Sequence, residues 1–192
     1  IRHEEYPYVI PKEFAQPKWI YLSSTGEHSG AFHNELVAWL LAYPETKLAF
    51  QPGTFQISMG TEKLAPLYAA TKLLACNKEE AERILEIGTT DIKELLKQLL
   101  ALGPKIAVIT DGPNGAYAFD GTEVLFVPMY PDVKPPLDRT GAGDAMTATV
   151  VAALALGKSL QEALLWGPIN SMSVVQEIGA QKGLLTRTMI ET

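Results

Sequence analysis

The sequence predicts an α/β fold with a mostly parallel sheet and helices on both of its faces. Short apolar runs alternate with helical patterns from residue 19 to residue 110, and turn residues separate them. Strands that are buried on both faces are continuously apolar, and helical crossovers make neighbouring strands parallel. The chain has 192 residues, of which 47% are hydrophobic and 20% charged, so it is long enough for one domain with a proper core.

The elements follow from local patterns along the chain. Residues 1–17 are rich in proline and aromatic residues and predict an extended connector to a single domain that fills 1–192. The Asp120-Gly121 pair predicts a hairpin turn between two short strands, at 116–119 and 124–127. Parallel strands are predicted at 19–23, 47–51, 72–76 and 105–110. Helices are predicted at 32–43, about 62–70, from 77 onward, 91–102, 145–156 and 159 to about 175.

The stretch DRTGAGD at 138–144 carries the most chemistry. Gly141, Ala142 and Gly143 stand where a loop turns into a helix, and small residues there let backbone N–H groups approach an anion. Asp144 falls in the first turn, where a carboxylate can take a proton from a hydroxyl that attacks a phosphoryl group. The structural alternative is that the glycines are turn residues and that Asp144 only favours the helix dipole.

Two further stretches have both a structural and a functional interpretation. Asn77 and Glu80 have the spacing of a capping box at the start of a helix. Thr110 ends the strongest predicted strand and opens a turn that contains Gly112 and Gly115. This turn follows ordinary turn chemistry, and its hydroxyl and glycine backbone also suit a nucleotide.

Composition and charge exclude several classes of function. The net charge is −6, the pI is near 5.1 and no basic stripe occurs, so we expect no nucleic-acid partner. No apolar run has transmembrane length, so we expect no membrane partner and a cytoplasmic location. The single cysteine, Cys76, excludes an intramolecular disulfide and is expected in the core. His3, His28 and His33 lack zinc-site spacing and are expected at the surface.

These motifs together resemble those of a known family. DRTGAGD closely resembles the D-x-x-G-A-G-D signature of the PfkB carbohydrate kinases, the ribokinase-like kinases. Asn77-x-x-Glu80 and Thr110-x-Gly112-x-x-Gly115 resemble two more family motifs in the same order. The resemblance implies a ribokinase-like three-layer fold and an ATP-dependent transfer of the γ-phosphoryl group to a hydroxyl of a sugar or related small molecule. It assigns the base to Asp144.

The resemblance also implies how each ligand is held. Amides of Gly141, Ala142 and Gly143 would stabilise the charge on the transferring group, and Asn77 and Glu80 would hold Mg²⁺ and its waters near the nucleotide. Thr110, Gly112 and Gly115 would contact phosphate and ribose. Asn170 would face the adenine, or else be a polar residue in a seam between helices. Oxygen atoms, largely carbonyls, would bind a monovalent cation such as K⁺ at Asp138, Thr140, Val174, Glu177, Gly179 and Gly183.

The sequence departs from the family in two informative ways. Gln51-Pro52-Gly53 stands where many relatives have Asp-Pro-Asn, which leaves a sugar and a nucleoside both open as substrate. The family's first βαβ portion, with its Gly-Gly motif and β-sheet lid, is not found, so the chain resembles the C-terminal, nucleotide-binding part of a longer kinase. We therefore expect an exposed apolar patch unless another chain covers it, as in a homodimer. A noncatalytic nucleotide-binding fragment remains an alternative.

Overall fold

The computed structural model of the chain describes residues 8–11, 15–88 and 91–192. These form two compact units: one reaches residue 109 and includes 119–124, and the other comprises 110–118 and 125–192. Of the predicted connector, 1–7 and 12–14 lie outside the described residues, while 8–11 and 15–17 form neither helix nor strand. The single domain over 1–192 stays a prediction.

The first unit is built on parallel strands. In chain order they are β1 (Trp19–Leu22), β2 (Lys47–Phe50), β3 (Thr71–Asn77) and β4 (Ile106–Thr110), which is also their order in the sheet. Strand β1 pairs in parallel with β2, placing Trp19 opposite Lys47. Strand β2 pairs in parallel with β3, with a register shift between Leu48 and Ala49. All four predicted strands occur, and the prediction of an α/β fold with a mostly parallel sheet is confirmed.

The helices of the first unit connect these strands. They are α1 (Gly30–Ala42), α2 (Thr54–Met59), α3 (Thr61–Ala70), α4 (Lys78–Leu85) and α5 (Ile92–Ala101). Leu48, Phe50, Leu73, Leu95 and Leu99 are fully buried in the core. Cys76 is 4% exposed, as predicted for a core thiol, and its burial raises the pKa of the thiol.

Helix α2 was not predicted from the sequence. It has only six residues, too few for a helical period to be visible. The side chain of Gln56 anchors it: Oε1 accepts hydrogen bonds from the backbone N–H of Gly53 at 2.8 Å and of Thr25 at 3.2 Å, and Nε2 donates to Ser23 O. Contacts distant in sequence therefore fix this helix.

The expected surface position of His33 is wrong. Its side chain is only 3% exposed, with Nε2 3.1 Å from Thr25 Oγ1 and 3.4 Å from Gln56 Nε2. Burial lowers the pKa of the imidazole, because the charged form is poorly solvated there. His28 is exposed as expected, and His3 lies outside the described residues.

The second unit contains helices and most of a hairpin, whose turn at 119–124 belongs to the first unit. Strands β5 (Ala116–Phe119) and β6 (Val124–Val127) have the predicted bounds, and the connection is too short for anything but an antiparallel hairpin. The helices are α6 (Ala142–Ala155), α7 (Leu160–Val175) and α8 (Arg187–Glu191). Helix α6 begins three residues before the predicted start. No helix among the described residues is long and apolar enough to cross a membrane.

Helices α6 and α7 pack closely along a seam of small residues. An added Cβ at Gly167 of α7 would lie 2.9 Å from Met146 Cγ of α6, so a larger residue would require the methionine side chain to shift. Ala145, Ala153 and Ala163 are buried nearby in the two helices. Helix α7 starts with a capping box, in which Ser159 Oγ accepts from Glu162 N and the Glu162 carboxylate accepts from Ser159 N. The seam fixes the helix start that bears the DRTGAGD stretch.

Candidate functional site

The second unit contains a cavity of about 330 Å³. Its wall comes from four segments: the turn after β4, the segment between β6 and α6, the first turns of α6, and the middle of α7. Of the predicted nucleotide and anion residues, five line it together: Thr110, Gly112, Gly115, Ala142 and Gly143. The fold thus brings the two glycine-containing stretches to one cavity.

The turn after β4 presents open backbone to this cavity. Residues Gly112–Asn114 form a short 3₁₀ turn, closed by hydrogen bonds from Asn114 N to Asp111 O at 2.9 Å and from Asp111 N to Gly115 O at 2.8 Å. An added Cβ at Gly115 would overlap Val127 O, whereas Gly112 has nothing within 4 Å of that position. Gly115 is therefore required for packing, and Gly112 leaves room for a ligand.

The start of α6 has the same division between a packed and an open glycine. Gly141 is the N-cap, with a φ of 82°, and an added Cβ would lie 2.8 Å from Ala180 Cα. Gly143 is exposed and has nothing within 4 Å of its Cβ position. Because the first turn of a helix leaves N–H groups without carbonyl partners in the helix, this end suits an anion.

Asp144 lies in the first turn of α6, directly after Gly143. Its side chain is exposed. It does not line the cavity itself, whereas the two residues before it do. The carboxylate therefore directly follows two residues of the cavity wall, Ala142 and Gly143, without being part of that wall.

Asp138 ties the loop before α6 to the segment after α7. Its Oδ1 accepts from Thr140 N at 2.9 Å and its Oδ2 accepts from Gly179 N at 3.0 Å. Hydrogen bonds from Thr140 and then from Gly179 hold the pKa of this carboxyl below its usual value. The predicted cation-binding residues Asp138, Thr140 and Gly179 are thus in direct contact.

The other residues predicted to bind the cation lie in the same loop region. An added Cβ at Gly183 would lie 2.7 Å from Val174 Cα, and Glu177 N donates to Val174 O at 3.1 Å. The Glu177 carboxylate pairs with Lys182 Nζ at 2.8 Å, and this partner lowers its pKa. Its side chain is engaged with a lysine, so any oxygen it offers to a cation would come from the backbone.

Asn77 and Glu80 form the capping box of α4, in the first unit. Glu80 N donates to Asn77 Oδ1 at 2.8 Å, and Asn77 N donates to Glu80 Oε2 at 2.9 Å. Among the described residues this bond engages only one oxygen of the carboxylate. No group of three or more His, Cys, Asp or Glu side chains able to hold a metal occurs anywhere in the residues that the structure describes. A metal at Glu80 would therefore take most of its ligands from water and phosphate.

Asn170 lies in the seam between α6 and α7. It is 6% exposed and does not line the cavity. Its Nδ2 donates to Thr149 Oγ1 at 2.7 Å, and its Oδ1 accepts from Leu185 N at 2.9 Å. Both ends of the amide thus have protein partners, which favours the seam over the adenine as its environment.

Sequence reasoning missed most of the cavity wall. Asp132 and Arg139 bring its charged side chains, and Met146, Met172 and Val175 bring apolar ones. Arg139 lies within the DRTGAGD stretch, but at a position where the family motif specifies no residue type. From the sequence, Met146, Met172 and Val175 are apolar helix positions that could equally lie in the core. Only the packing of α6 and α7 shows that they face a cavity.

The fold and the site together define an α/β protein in which the glycine-containing start of α6 forms part of a cavity wall. The sequence model of the pfkB family carbohydrate kinases matches residues 9–187, and the chain belongs to that family. The resemblance in the motifs is thereby confirmed at the level of the family.

Relatives of known class match parts of the chain. Ribokinase of Bacillus subtilis is 35% identical over 96 residues, which are 50% of this chain and 32% of that protein. A nucleoside kinase of Methanocaldococcus jannaschii is 28% identical over 145 residues, 76% of this chain and 46% of that protein. The chain thus spans less than half the length of these two relatives.

Solved structures show the same fold. The M. jannaschii nucleoside kinase superimposes with a TM-score of 0.78 at 24% identity, covering 98% of this chain and 58% of that one. A putative ribokinase II from E. coli, in complex with ATP and Mg²⁺, gives 0.77 at 20% identity, covering 91% and 57%. At these identities the likeness establishes the ribokinase-like fold alone.

Proposed function

We propose that this protein is an ATP-dependent kinase that transfers the γ-phosphoryl group to a hydroxyl of a sugar or nucleoside. The observation that carries the proposal is the start of α6: Gly143 lines the cavity with open space around it, and Asp144 follows at once. Family membership supports phosphoryl transfer, and the matched relatives include a ribokinase and a nucleoside kinase.

The cavity suits a nucleotide in its chemistry. Gly112 and Gly143 offer backbone that a phosphate can approach closely, and Thr110 adds a hydroxyl. Met146, Met172 and Val175 form an apolar part of the wall that fits the faces of a base. An anion-binding end and an apolar wall in one cavity are what a molecule with both phosphates and a heterocycle requires.

The metal residues fit a hydrated ion with few protein ligands. We propose that Glu80, with Asn77 beside it, would hold Mg²⁺ through water, and that the bound ion would supply positive charge for phosphate oxygens of the nucleotide. Asp138 is hydrogen-bonded to Gly179, and Gly183 packs on Val174. This proximity supports a monovalent cation such as K⁺ between these residues. The proposed ligands are oxygen atoms of Asp138, Thr140, Val174, Glu177, Gly179 and Gly183.

The reaction needs one proton acceptor and a stabilised anion. As the acceptor hydroxyl bonds to the γ-phosphorus, its proton passes to the Asp144 carboxylate, and the bond to the bridging oxygen breaks to release ADP. Amides at Gly141, Ala142 and Gly143 would stabilise charge on the transferring group, with the Ala142 N–H exchanging its 3.3 Å bond to Arg139 O for this contact. Phosphoryl transfer depends chiefly on positioning and electrostatics, so Asp144 and the helix start contribute through placement.

Two acceptor classes follow from the relatives. The M. jannaschii nucleoside kinase aligns with 76% of this chain, more than the 50% aligned by the B. subtilis ribokinase, although at lower identity. This coverage supports a nucleoside as the second candidate acceptor. Because the chain spans only part of its relatives, a fragment that binds nucleotide without turnover is the noncatalytic alternative.

The test is acceptor-dependent ADP release by the full-length protein. ATP and Mg²⁺ are supplied with a panel of free sugars, sugar phosphates and nucleosides, each at the same concentration. We expect at least one acceptor to raise ADP release well above the rate with water alone, and phosphorylated product to form in equal amount. A protein that binds ATP but phosphorylates no member of the panel would contradict the proposal.

A further inference from the structure

Arg139 stands out among the residues that line the cavity. It carries the one positive charge among the lining residues that the structure describes, and Asp132 carries the one negative charge. Arg139 is exposed, and no ion pair of its guanidinium occurs in the described part of the chain. Although the chain has 22 acidic and 16 basic residues, none of the described carboxylates pairs with this guanidinium, so its charge can face a ligand in the cavity.

The backbone around Arg139 is held in place on both sides. Asp138 accepts hydrogen bonds from Thr140 N and Gly179 N, and Arg139 O accepts one from Ala142 N at 3.3 Å. Arg139 is thus part of the hydrogen-bonded loop that leads into helix α6. These bonds hold the backbone of Arg139 in the cavity wall, to which Gly143 also belongs.

We propose that Arg139 is a positioning residue that binds a phosphate group of the nucleotide in this cavity. The proposal rests on the proposed function, since it assigns a new contact within the same site. A guanidinium presents a planar fork of N–H donors that matches two phosphate oxygens, which an ammonium does not. The amides at the start of α6 would bind from one side, and the guanidinium would add a full charge.

Asp132 carries a negative charge in the same cavity wall as the positively charged Arg139. Asp132 is half-buried in the same wall, yet the two side chains form no ion pair among the described residues. The arginine is therefore not paired with the carboxylate that shares the cavity wall with it. A carboxylate has no proton to donate to a phosphate oxygen and repels its charge, so Asp132 would suit hydroxyl or amino groups of the ligand instead.

The experiment compares ADP with adenosine by isothermal titration calorimetry on the 192-residue chain. Arg139→Ala should raise the Kd for ADP by about 10- to 100-fold, the range expected for a lost hydrogen bond to a charged group. The Kd for adenosine, which lacks phosphate, should stay within about twofold. Arg139→Lys should fall between wild type and Arg139→Ala, because it keeps the charge but not the fork.

Arg83→Ala is the matched control. Arg83 lies in the last turn of α4, is exposed and does not line the cavity, and its loss changes the net charge by the same amount. Its ADP affinity should match that of wild type. If Arg139→Ala fails to fold in a thermal melt, Arg139→Gln carries the same expectation.

The outcomes separate this inference from the function on which it rests. If wild type binds ADP and Arg139→Ala binds it equally well, the contact is disproved while the kinase proposal stands. Equal weakening of ADP and adenosine would mean that Arg139 only shapes the cavity, which also overturns the inference. If wild type binds neither ligand, the proposed nucleotide site fails, and this inference fails with it.

Discussion

Asp138 joins two segments of the second unit and is also one of the proposed cation ligands. Its two carboxylate oxygens accept backbone hydrogen bonds from Thr140 and Gly179, and these lower the pKa of the carboxyl. Since the folded pKa lies below the unfolded value near 3.8, the stabilisation is present above that pH. It is lost as the pH falls through the lowered pKa of the folded state.

Asp138→Asn should therefore flatten the acid limb of the stability curve. The amide keeps one acceptor oxygen but cannot titrate, so the free energy of unfolding should fall less below about pH 4 in the variant than in wild type. At pH 7 the variant should be the less stable of the two. Urea denaturation at several pH values measures both effects. Parallel curves for the two proteins would mean that these hydrogen bonds contribute nothing to stability.

Glu80 can be tested for metal binding apart from its role as a cap. Glu80→Gln preserves a capping box, because glutamine can also bond the N-cap amide, but it removes the charge that attracts Mg²⁺. We expect the full-length variant to need more Mg²⁺ for half-maximal activity and to melt close to wild type. Glu79→Gln, in the same first turn, is the control for charge alone. An equal Mg²⁺ requirement in all three proteins would return Glu80 to a purely capping role.

At the scale of elements, the seam between α6 and α7 depends on Asn170. Asn170→Ala would leave the partly buried Leu185 N–H without this acceptor, whereas Thr149 Oγ1 would keep its bond to Ala145 O. An unsatisfied N–H of this kind costs about 1–3 kcal/mol of unfolding free energy. We expect this loss in urea denaturation, with the Kd for ADP little changed. Thr149→Val removes one of the same hydrogen bonds and should cost less.

The opposite pattern would favour the adenine contact. A large rise in the Kd for ADP in Asn170→Ala, with stability unaltered, would mean that the amide serves the ligand. Thr149→Val would then bind ADP like wild type, because it changes only the partner in the seam. Measuring both variants therefore separates the two interpretations of Asn170.

Elements with a strong local signal could be predicted from the sequence. The β5–β6 hairpin has its predicted bounds, because a turn dipeptide and two apolar runs specify it locally. Helix α2 and the burial of His33 could not be predicted, since both depend on Gln56 meeting the loop after β1. The capping box of α4 was visible because all its groups lie within four residues.

At the scale of the molecule, the cavity wall combines positions far apart in sequence. Thr110, Gly112 and Gly143 were found by motif, whereas Asp132 and Met172 carry no pattern and join the wall only through packing. Large apolar side chains are also exposed in the segment after β6, among them Val133 at 82% and Leu137 at 61%. A continuous apolar patch, and a second copy covering it in a homodimer, stay predictions.

The central claim is that Asp144 accepts the proton of the attacking hydroxyl, and Asp144→Asn in the full-length enzyme tests it most directly. Asparagine keeps size and shape but cannot take the proton, so kcat should fall by about 10²–10⁴-fold. The Kd for nucleotide should change little, because the helix-start amides remain. If Asp144 serves only the helix dipole, the variant would lose about 0.3–1 kcal/mol of stability and keep its turnover. Steady-state kinetics and a thermal melt on the same sample decide between the two roles of Asp144. We predict a kcat lowered to that extent at an unchanged melting temperature. A near-wild-type kcat with a lowered melting temperature would contradict the role of Asp144 as the base.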